Sequence, residues 1–288
     1  MSTVRSVDVT APSPSGTDPS TPFTMSDAVA TALADGQRMV ALDGVHNFRD
    51  LGGYPTVGGG TTRWGLVYRA DGLQRLTPAD VVVLRERGLG MVIDLRTESE
   101  LADRGRFPVD LHQVQFHHLP VVDRTWIPGE VPEFDNAHEF LMWAYRDMLA
   151  VGAAKLAAGL NIIAASENTP LVFHCAAGKD RTGLLAALLL STLDVPAEYI
   201  AADYGKTAEA MVRMRAAWAA WAAEQGPEQV EQLNEDRTHY FESPAPVMAE
   251  LLAELANTHG SVVDYVQSLG VTDASIEALR IRLIEPTT

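Results

Sequence analysis

The sequence predicts an α/β protein with a mostly parallel central sheet flanked by helices. Short apolar runs of strand length alternate with helical segments along the chain, and these runs lack the in-out alternation of half-exposed strands. The composition, 47% hydrophobic and 21% charged, is that of an ordinary globular protein. We therefore expect one catalytic domain at 26–288, preceded by a Ser/Thr/Pro-rich tail at 1–25 whose composition is typical of disordered segments.

The first half of the domain carries two predicted helices and two predicted strands. Capping residues and terminal glycines predict helices at 26–36 and 77–88, and apolar β-branched runs predict strands at 89–95 and 114–122. The clearest of these signals is Thr77-Pro78, because Thr caps a helix and Pro suits its first turn. A helix followed at once by a strand is an αβ unit, which favours a parallel sheet.

The second half of the domain is mainly helical. Residues 136–166 are rich in Ala and Leu and predict a long helical region, which Gly152 and Gly159 are expected to interrupt. A further helical region at 206–257 is broken by Pro- and Gly-containing stretches, and 261–285 predicts two final helices.

Between these helical regions lies a strand, a loop and a helix. Residues 171–174 form a short apolar run, 175–181 a loop, and 182–194 a strongly apolar helical segment. Ligands of parallel sheets bind outside the carboxyl ends of the strands. The loop lies at such an end, which makes it the candidate functional site.

The net charge limits the partners. Lys and Arg number 22 against 38 Asp and Glu, so the charge is −16, which repels nucleic acid and anionic membranes at long range. No apolar run reaches 18 residues, and the N-terminus lacks the apolar stretch of a secretory signal. We expect no nucleic-acid partner, no stable membrane insertion, and a location that is cytoplasmic or reached by export without an ordinary signal peptide.

The residues with the strongest chemical signal are HCAAGKDRTG at 174–183. Five residues separate Cys175 from Arg181, so one tight loop can surround a tetrahedral oxyanion with backbone N–H groups and a guanidinium. The start of a helix adds partial positive charge, which favours the anion and a nucleophilic thiolate. Glycines at 178 and 183 allow close backbone approach, and the Thr182 hydroxyl can bond the sulfur. Since Cys175 is the single cysteine, it is either an inert core thiol or a reagent.

This loop resembles that of the Cys-x5-Arg protein tyrosine phosphatases, in their bacterial and fungal subgroup. Stretches at 47–54, 66–77, 92–100 and 174–183 carry the resemblance. It implies a tyrosine-phosphatase-like fold with a helical lid at 206–257. It also implies hydrolysis without metal or cofactor through a phosphocysteine. The residues implied to bind phosphate are Ala176, Ala177, Gly178, Lys179, Asp180 and Arg181. The implied substrate is phosphotyrosine, with phosphoserine, phosphothreonine and phosphoinositides as further ones.

The general acid that protonates the leaving oxygen has three candidates, namely Asp180, Asp123 and Asp203. The Lys-Asp-Arg sequence of the resembled subgroup points to Asp180, with Asp123 in reserve. An alternative for Asp180 is an ion pair with Lys179 or with Arg181 that fixes the loop. The chain has no Trp-Pro-Asp tripeptide, and the nearest match is 126–128.

Several further residues are expected to support the loop. His174 would hold the loop through hydrogen bonds from a buried ring. The alternative is that its ring changes the reactivity of the adjacent Cys175 thiolate. The family match favours Arg49 and Asp50 as braces beneath the loop, the alternative being a turn with a surface ion pair. Lys179 adds a cation at the mouth of the site. We also expect Asp94 and Arg96 to act as scaffold.

Other functions and features weigh less. A phosphoinositide phosphatase would use the same loop, but Ala176 stands where lipid phosphatases often carry a second lysine. A silent phosphate-binding module and a sulfurtransferase are further alternatives, against which the Arg-Thr-Gly ending of the loop counts.

Trp218 and Trp221 share a helical face, typical of core packing. The histidines, His117 and His118 included, lack metal-ligand spacing, so no metal is expected.

Overall fold

The computed structural model describes residues 25–34, 36–123, 131–167, 169–226 and 242–286. The predicted tail, apart from Met25, lies outside the described residues, as do the 126–128 stretch and part of the predicted lid at 206–257. The side chain of Trp221 is also outside them.

The centre of the fold is a five-stranded sheet, and its order is β1-β3-β6-β4-β5. Four strands are parallel and β1, at one edge, is antiparallel to β3, which confirms the mostly parallel sheet. At the carboxyl end, Ala70, His174 and Asp94 lie in register on neighbouring strands. The strands of this sheet are β1 Arg49–Asp50, β3 Val67–Ala70, β4 Met91–Asp94, β5 Gln115–His118 and β6 Leu171–His174.

Helices cover both faces of the sheet. Val92 and Val172 belong to one apolar cluster, and the adjacent Ile93 and Phe173 belong to the other. Because neighbouring residues of a strand point to opposite faces, this division means that both faces are buried. The helices are α1 Asp27–Leu33, α2 Pro78–Glu86, α3 Glu98–Arg104, α4 Ala137–Ala165, α5 Asp180–Thr192, α6 Ala197–Gly205, α7 Thr207–Gln225, α8 Ala245–His259, α9 Val262–Ser268 and α10 Asp273–Leu283.

The predicted helix starts are confirmed where a polar cap marked them. Thr77 accepts a hydrogen bond from the Asp80 amide while the Asp80 side chain accepts from the Thr77 amide, which forms a capping box at α2. Ser26 caps α1 and Thr272 caps α10 in the same way, through one side-chain acceptor each.

The predicted interruption of the long helix is wrong. Helix α4 runs without a break through Gly152 and Gly159. A Cβ on Gly152 would lie 2.7 Å from the carbonyl oxygen of Val121, and one on Gly159 would lie 3.3 Å from Leu185. Both glycines are therefore places where neighbouring segments pack closely against the helix, rather than helix ends.

Helix α4 is also the one described helix that is long and apolar enough to cross a membrane, with a mean hydropathy of 1.7 in its most apolar window. Most of its buried side chains belong to the larger apolar cluster, and it packs against α5, α8 and α10. Core helices commonly have this composition, so the helix is weak evidence for insertion.

Two very short strands form a second sheet that the sequence did not indicate. Strand β2, Thr61–Thr62, pairs antiparallel with β7, Ile284–Glu285. A two-residue strand has no measurable periodicity, which explains why the pattern of the chain carries no signal for it.

Candidate active site

The candidate site lies where β6 passes into α5, at the carboxyl end of the sheet. Strand β6 ends at His174, and α5 begins at Asp180, so the loop between them holds Cys175 and the glycine at 178. Cys175 is 2% exposed, and the 13-residue helix starts directly behind the loop. The strand, loop and helix predicted from the sequence are confirmed in this order.

Three successive carbonyl groups of the loop are bound by the scaffold. The backbone N–H of Gly72 donates to the carbonyl of Ala176 at 3.1 Å. The side-chain Nδ2 of Asn47 donates to the carbonyl of Ala177 at 3.0 Å. The Gly178 carbonyl accepts from Asn47 at 3.2 Å and from Arg69 at 2.8 Å. These hydrogen bonds restrain the backbone conformation of the loop.

The backbone N–H groups at 176–178 have a different environment. Within the part of the chain that the structure describes, they donate to no acceptor. Gly178 adopts φ +66°, and a Cβ there would lie 2.5 Å from the Ala70 carbonyl oxygen, so glycine is required. Successive N–H groups without acceptors, placed before a helix N-terminus, form a concavity suited to an anion.

Arg181 is held at the loop by Glu100 of α3. Its Nη1 and Nη2 donate to the two carboxylate oxygens at 2.5 and 3.0 Å. Burial alone would raise the pKa of Glu100, but the Arg181 hydrogen bonds and charge lower it from 4.5 to about 2. Burial likewise opposes the charge of Arg181, yet its electrostatic interactions with Cys175 and Glu100 raise its pKa above the ordinary value.

Asp203 lies beneath the loop in a buried cluster. It accepts from Arg49 Nε at 3.0 Å, Arg69 Nη1 at 2.6 Å and the Tyr54 hydroxyl at 2.9 Å. Burial raises the pKa of Asp203, but the two arginines outweigh it and hold this pKa well below the usual range. A carboxylate so paired and 1% exposed is a poor proton donor, so the sequence candidate Asp203 is a support for Arg69 and hence for Gly178.

Asp180 occupies the first turn of α5, with its side chain 26% exposed. Its Oδ1 accepts a hydrogen bond from the Tyr145 hydroxyl at 2.8 Å and lies 3.4 Å from the Lys179 ammonium. The ion pair with Lys179 that the sequence offered as an alternative role is therefore present. It is compatible with acid chemistry, because the second carboxylate oxygen is not involved. Asp123, the reserve candidate, is exposed at the end of a described segment.

Lys179 does not sit at the mouth as an exposed cation. Its side chain is 2% exposed, and Nζ donates to the carbonyl of Glu242 at 3.0 Å. The expectation of an accessible second cation is corrected on this ground, because the ammonium is already engaged inside the fold.

The supporting residues expected from the sequence differ in the contacts that they make. His174 is fully buried, its Nδ1 lies 3.2 Å from the Cys175 carbonyl, and its Nε2 is 3.4 Å from Asp94. Burial lowers the pKa of His174, which favours a neutral ring and a structural role. Asp94 in turn receives a bidentate pair from Arg96. These contacts agree with the scaffold interpretation.

Of the two predicted braces, Arg49 contacts residues that hold the loop, whereas the side chain of Asp50 does not. Arg49 donates to Asn47 and to Asp203, both of which hold the loop or its neighbours. Asp50 instead accepts from the amides of Gly52 and Gly65, so it fixes a turn. Its burial raises its pKa from 3.8 to about 6. Asp50 is therefore corrected to a turn residue.

The buried Thr182 hydroxyl has no hydrogen-bond partner among the described residues, so the predicted bond to sulfur is not formed here.

Helix α7 covers the loop from another side. Its buried Met211 and Met214 form a cluster against which Ala177 and Trp218 pack, in agreement with a packing role for Trp218.

Sequence reasoning missed several residues of this site. Asn47, Arg69 and Glu100 lie inside stretches that carried the family resemblance, so proximity to the loop could have been suspected for them. Tyr145 and Tyr204 lie in apolar helices with no motif around them. Only the packing of α4 and α6 on α5 brings the Tyr145 hydroxyl to Asp180 and the Tyr204 hydroxyl to Tyr145.

The fold and the loop define a phosphatase class, and comparison with known proteins identifies it. Residues 40–285 match the tyrosine phosphatase family, and the chain belongs to that family. The expectation of a hydrolase of the protein tyrosine phosphatase type is confirmed, and the family implies a phosphorylated substrate.

Three proteins that this chain is similar to are named as phosphatases. A triple specificity protein phosphatase, PtpB, of Mycobacterium tuberculosis is 27% identical over 83% of this chain and 96% of its own. A tyrosine-protein phosphatase of Nostoc commune is 31% identical over 75% of this chain and 73% of its own. A putative tyrosine-protein phosphatase of Cupriavidus necator is 34% identical over 62% of this chain and 66% of its own.

Proposed function

We propose that the chain hydrolyses phosphotyrosine without a metal, through a phosphocysteine on Cys175. The observation that carries the proposal is the convergence of three groups on one loop. The scaffold holds together a buried thiol, the fixed guanidinium of Arg181 and the N–H groups at 176–178, which have no acceptor among the residues that the structure describes. Groups that are oriented before the substrate arrives can stabilise charge in the transition state without reorganising.

In the first step the Cys175 thiolate attacks phosphorus in line. The sulfur–phosphorus bond forms as the bond from phosphorus to the phenolic oxygen breaks, and Asp180 gives its proton to that oxygen. Loop amides and Arg181 bind the equatorial oxygens. A guanidinium has five N–H donors, and Glu100 engages one on each of two nitrogens, so donors remain for phosphate.

In the second step water attacks the phosphocysteine. Asp180, now a carboxylate, takes a proton from that water as the new phosphorus–oxygen bond forms, and the sulfur leaves as thiolate. Inorganic phosphate is released, and both Cys175 and Asp180 return to their starting protonation states. The proton balance therefore closes over one turnover without another reagent.

Substrates beyond phosphotyrosine are a second part of the proposal. The name of the M. tuberculosis relative, a triple specificity phosphatase, supports activity on phosphoserine and phosphothreonine as well. A phosphoinositide would gain from an accessible second cation. The Lys179 ammonium is instead buried against the Glu242 carbonyl, which supports the proposal of phosphotyrosine ahead of the lipid as a substrate.

The test is hydrolysis of p-nitrophenyl phosphate in EDTA, with and without vanadate, by the parent protein and by Cys175→Ser. We expect vanadate-sensitive turnover in the parent and none in the variant. An inactive but folded parent that still binds inorganic phosphate would instead support a phosphate-binding module. Turnover retained in Cys175→Ser would overturn the nucleophile.

Substrate choice needs a separate measurement. Phosphate release from phosphotyrosine, phosphoserine and phosphothreonine peptides and from soluble phosphoinositide head groups should be compared at equal concentration. The expected order places phosphotyrosine first. A higher kcat/KM for the inositol phosphates would make the lipid the better candidate.

A further inference from the structure

Two tyrosine hydroxyls form a chain that ends on Asp180. The Tyr145 hydroxyl of α4 donates to Asp180 Oδ1 at 2.8 Å, and it lies 2.5 Å from the Tyr204 hydroxyl of α6. Since the Tyr145 proton points to the carboxylate, its oxygen accepts the proton of Tyr204. The order of donation is therefore Tyr204 to Tyr145 to Asp180.

The two tyrosine rings are fixed by their surroundings. Tyr145 is fully buried and Tyr204 is 1% exposed, and the rings pack edge to face with centroids 6.0 Å apart. Burial first, and then the charge of Asp180, raises the pKa of Tyr145 well above its ordinary value. Tyr145 consequently keeps its proton and stays a donor over the range in which enzymes of this kind are assayed.

The two tyrosine hydroxyls give the two carboxylate oxygens of Asp180 different surroundings. Oδ1 faces the Tyr145 hydroxyl and is 3.4 Å from the Lys179 ammonium, whereas no hydrogen bond to Oδ2 occurs among the described residues. A proton on Oδ1 would have to share that oxygen with two donors. The proton of the neutral acid therefore belongs on Oδ2, and Oδ1 accepts from Tyr145 in both protonation states.

We propose that Tyr145, supported by Tyr204, is a positioning residue that presents Oδ2 of Asp180 to the leaving oxygen. The inference rests on the proposed function, in which Asp180 is the general acid. Without the Tyr145 hydroxyl, the carboxyl group could rotate and exchange its two oxygens, and fewer encounters would find the proton in place. A positioned general acid contributes about 10²- to 10⁴-fold to a rate, so loss of orientation should cost part of that factor.

The test uses aryl phosphates whose phenols differ in acidity. A good leaving group such as p-nitrophenolate needs little protonation, whereas phenolate and the tyrosyl oxygen need it fully. For Tyr145→Phe we expect kcat/KM on phenyl phosphate, which reports the step that expels the phenolate, to fall by roughly 10-fold and kcat/KM on p-nitrophenyl phosphate by less than about 3-fold, as follows from loss of acid assistance. A purely structural role would lower both rates by the same factor.

Tyr265→Phe is the matched control. Tyr265 is a buried tyrosine whose hydroxyl donates to the Leu149 carbonyl at 3.4 Å and has no hydrogen bond to Asp180. It should leave the ratio of the two rates unchanged. Tyr204→Phe is a second variant, which retains the bond from Tyr145 to Asp180; it should shift the ratio in the same direction by a smaller factor. It provides the test if Tyr145→Phe fails to fold.

Asp180→Asn separates the inference from the function on which it rests. It should be more sensitive to the leaving group than Tyr145→Phe, and adding Tyr145→Phe to it should change nothing further. If Asp180→Asn changes the ratio and Tyr145→Phe does not, the positioning role is overturned while the acid stands. If Asp180→Asn leaves the ratio unchanged, the inference falls with the acid assignment, and an inactive Cys175→Ser would still uphold the phosphocysteine.

Discussion

Glu100 binds both terminal nitrogens of the Arg181 guanidinium, and the same carboxylate caps the helix from which it projects. Its Oε2 accepts from Arg181 Nη1 and also from the Thr97 amide at 2.9 Å, while Thr97 accepts from the Glu100 amide. The start of α3 and the guanidinium of the phosphate loop are thus fixed by one side chain. A planar guanidinium held at two points has little freedom to turn away from the loop.

Glu100→Gln tests this orientation through activity. The amide cannot accept from both guanidinium nitrogens, and hydrogen bonds to charged groups are worth about 1.5–3 kcal/mol. We expect kcat/KM on p-nitrophenyl phosphate to fall by roughly 10- to 100-fold. Glu98→Gln, a change on the exposed side of the same helix turn, should alter it less than about 2-fold. Equal activity of the two variants would show that Arg181 keeps its orientation without Glu100.

The same pair makes the free energy of unfolding depend on pH in acid. The pKa of Glu100 is about 2 in the folded protein and 4.5 ordinarily, so the unfolded chain binds more protons between these values. The contribution of Glu100, about 3 kcal/mol, is therefore present above pH 4.5 and is lost as the pH falls toward 2. Urea unfolding across this range should show a shallower loss of stability in Glu100→Gln than in the parent. Parallel curves would contradict the ion pair.

Asp203→Asn should be among the most damaging substitutions. It removes the charge that pairs with both Arg49 and Arg69 in a buried site, and breaking such a pair costs about 3–5 kcal/mol. Arg69 would then hold the Gly178 carbonyl less firmly, so activity should fall with stability.

The control for this prediction is Asp194→Asn. Asp194 pairs with Arg280 at the surface, where such a bridge is worth at most about 1 kcal/mol. Urea unfolding of both variants at pH 7 gives the comparison. If Asp203→Asn costs no more than Asp194→Asn, the buried cluster does not support the loop.

Gly178→Ala tests the course of the loop backbone. An alanine would have to adopt φ +66°, and its Cβ would meet the Ala70 carbonyl, which cannot move without shifting β3. Strain of this kind costs about 1–3 kcal/mol before any clash is counted. We expect turnover of p-nitrophenyl phosphate to be lost. Gly58→Ala, where an added Cβ meets nothing within 4 Å, should keep parent activity; a fully active Gly178→Ala would show that the loop tolerates another conformation.

The sequence predicts those parts of the molecule that depend on local chemistry. Capping residues locate the start of α2, apolar runs locate β4 and β6, and the spacing of Cys175 and Arg181 locates the phosphate loop. Each of these signals lies within about ten residues, where periodicity and capping act.

The remainder depends on contacts between distant segments. Nothing near Lys179 in the sequence indicates that its ammonium turns inward to Glu242, 63 positions later. The glycines of α4 are helix breakers by propensity, and only the closeness of Val121 explains why they are retained inside a helix. Likewise the pairing of Asp203 with Arg49 joins residues 154 positions apart.

The small sheet of β2 and β7 has a consequence for synthesis of the chain. Arg63, beside β2, donates to the carbonyl of Ile284 in β7, 221 positions later. Closing so long a loop before any contact rewards it is entropically unfavourable and slows folding. A ribosome must have translated residue 285 before β2 can pair with β7, so a nascent polypeptide that is shorter than this cannot complete the small sheet.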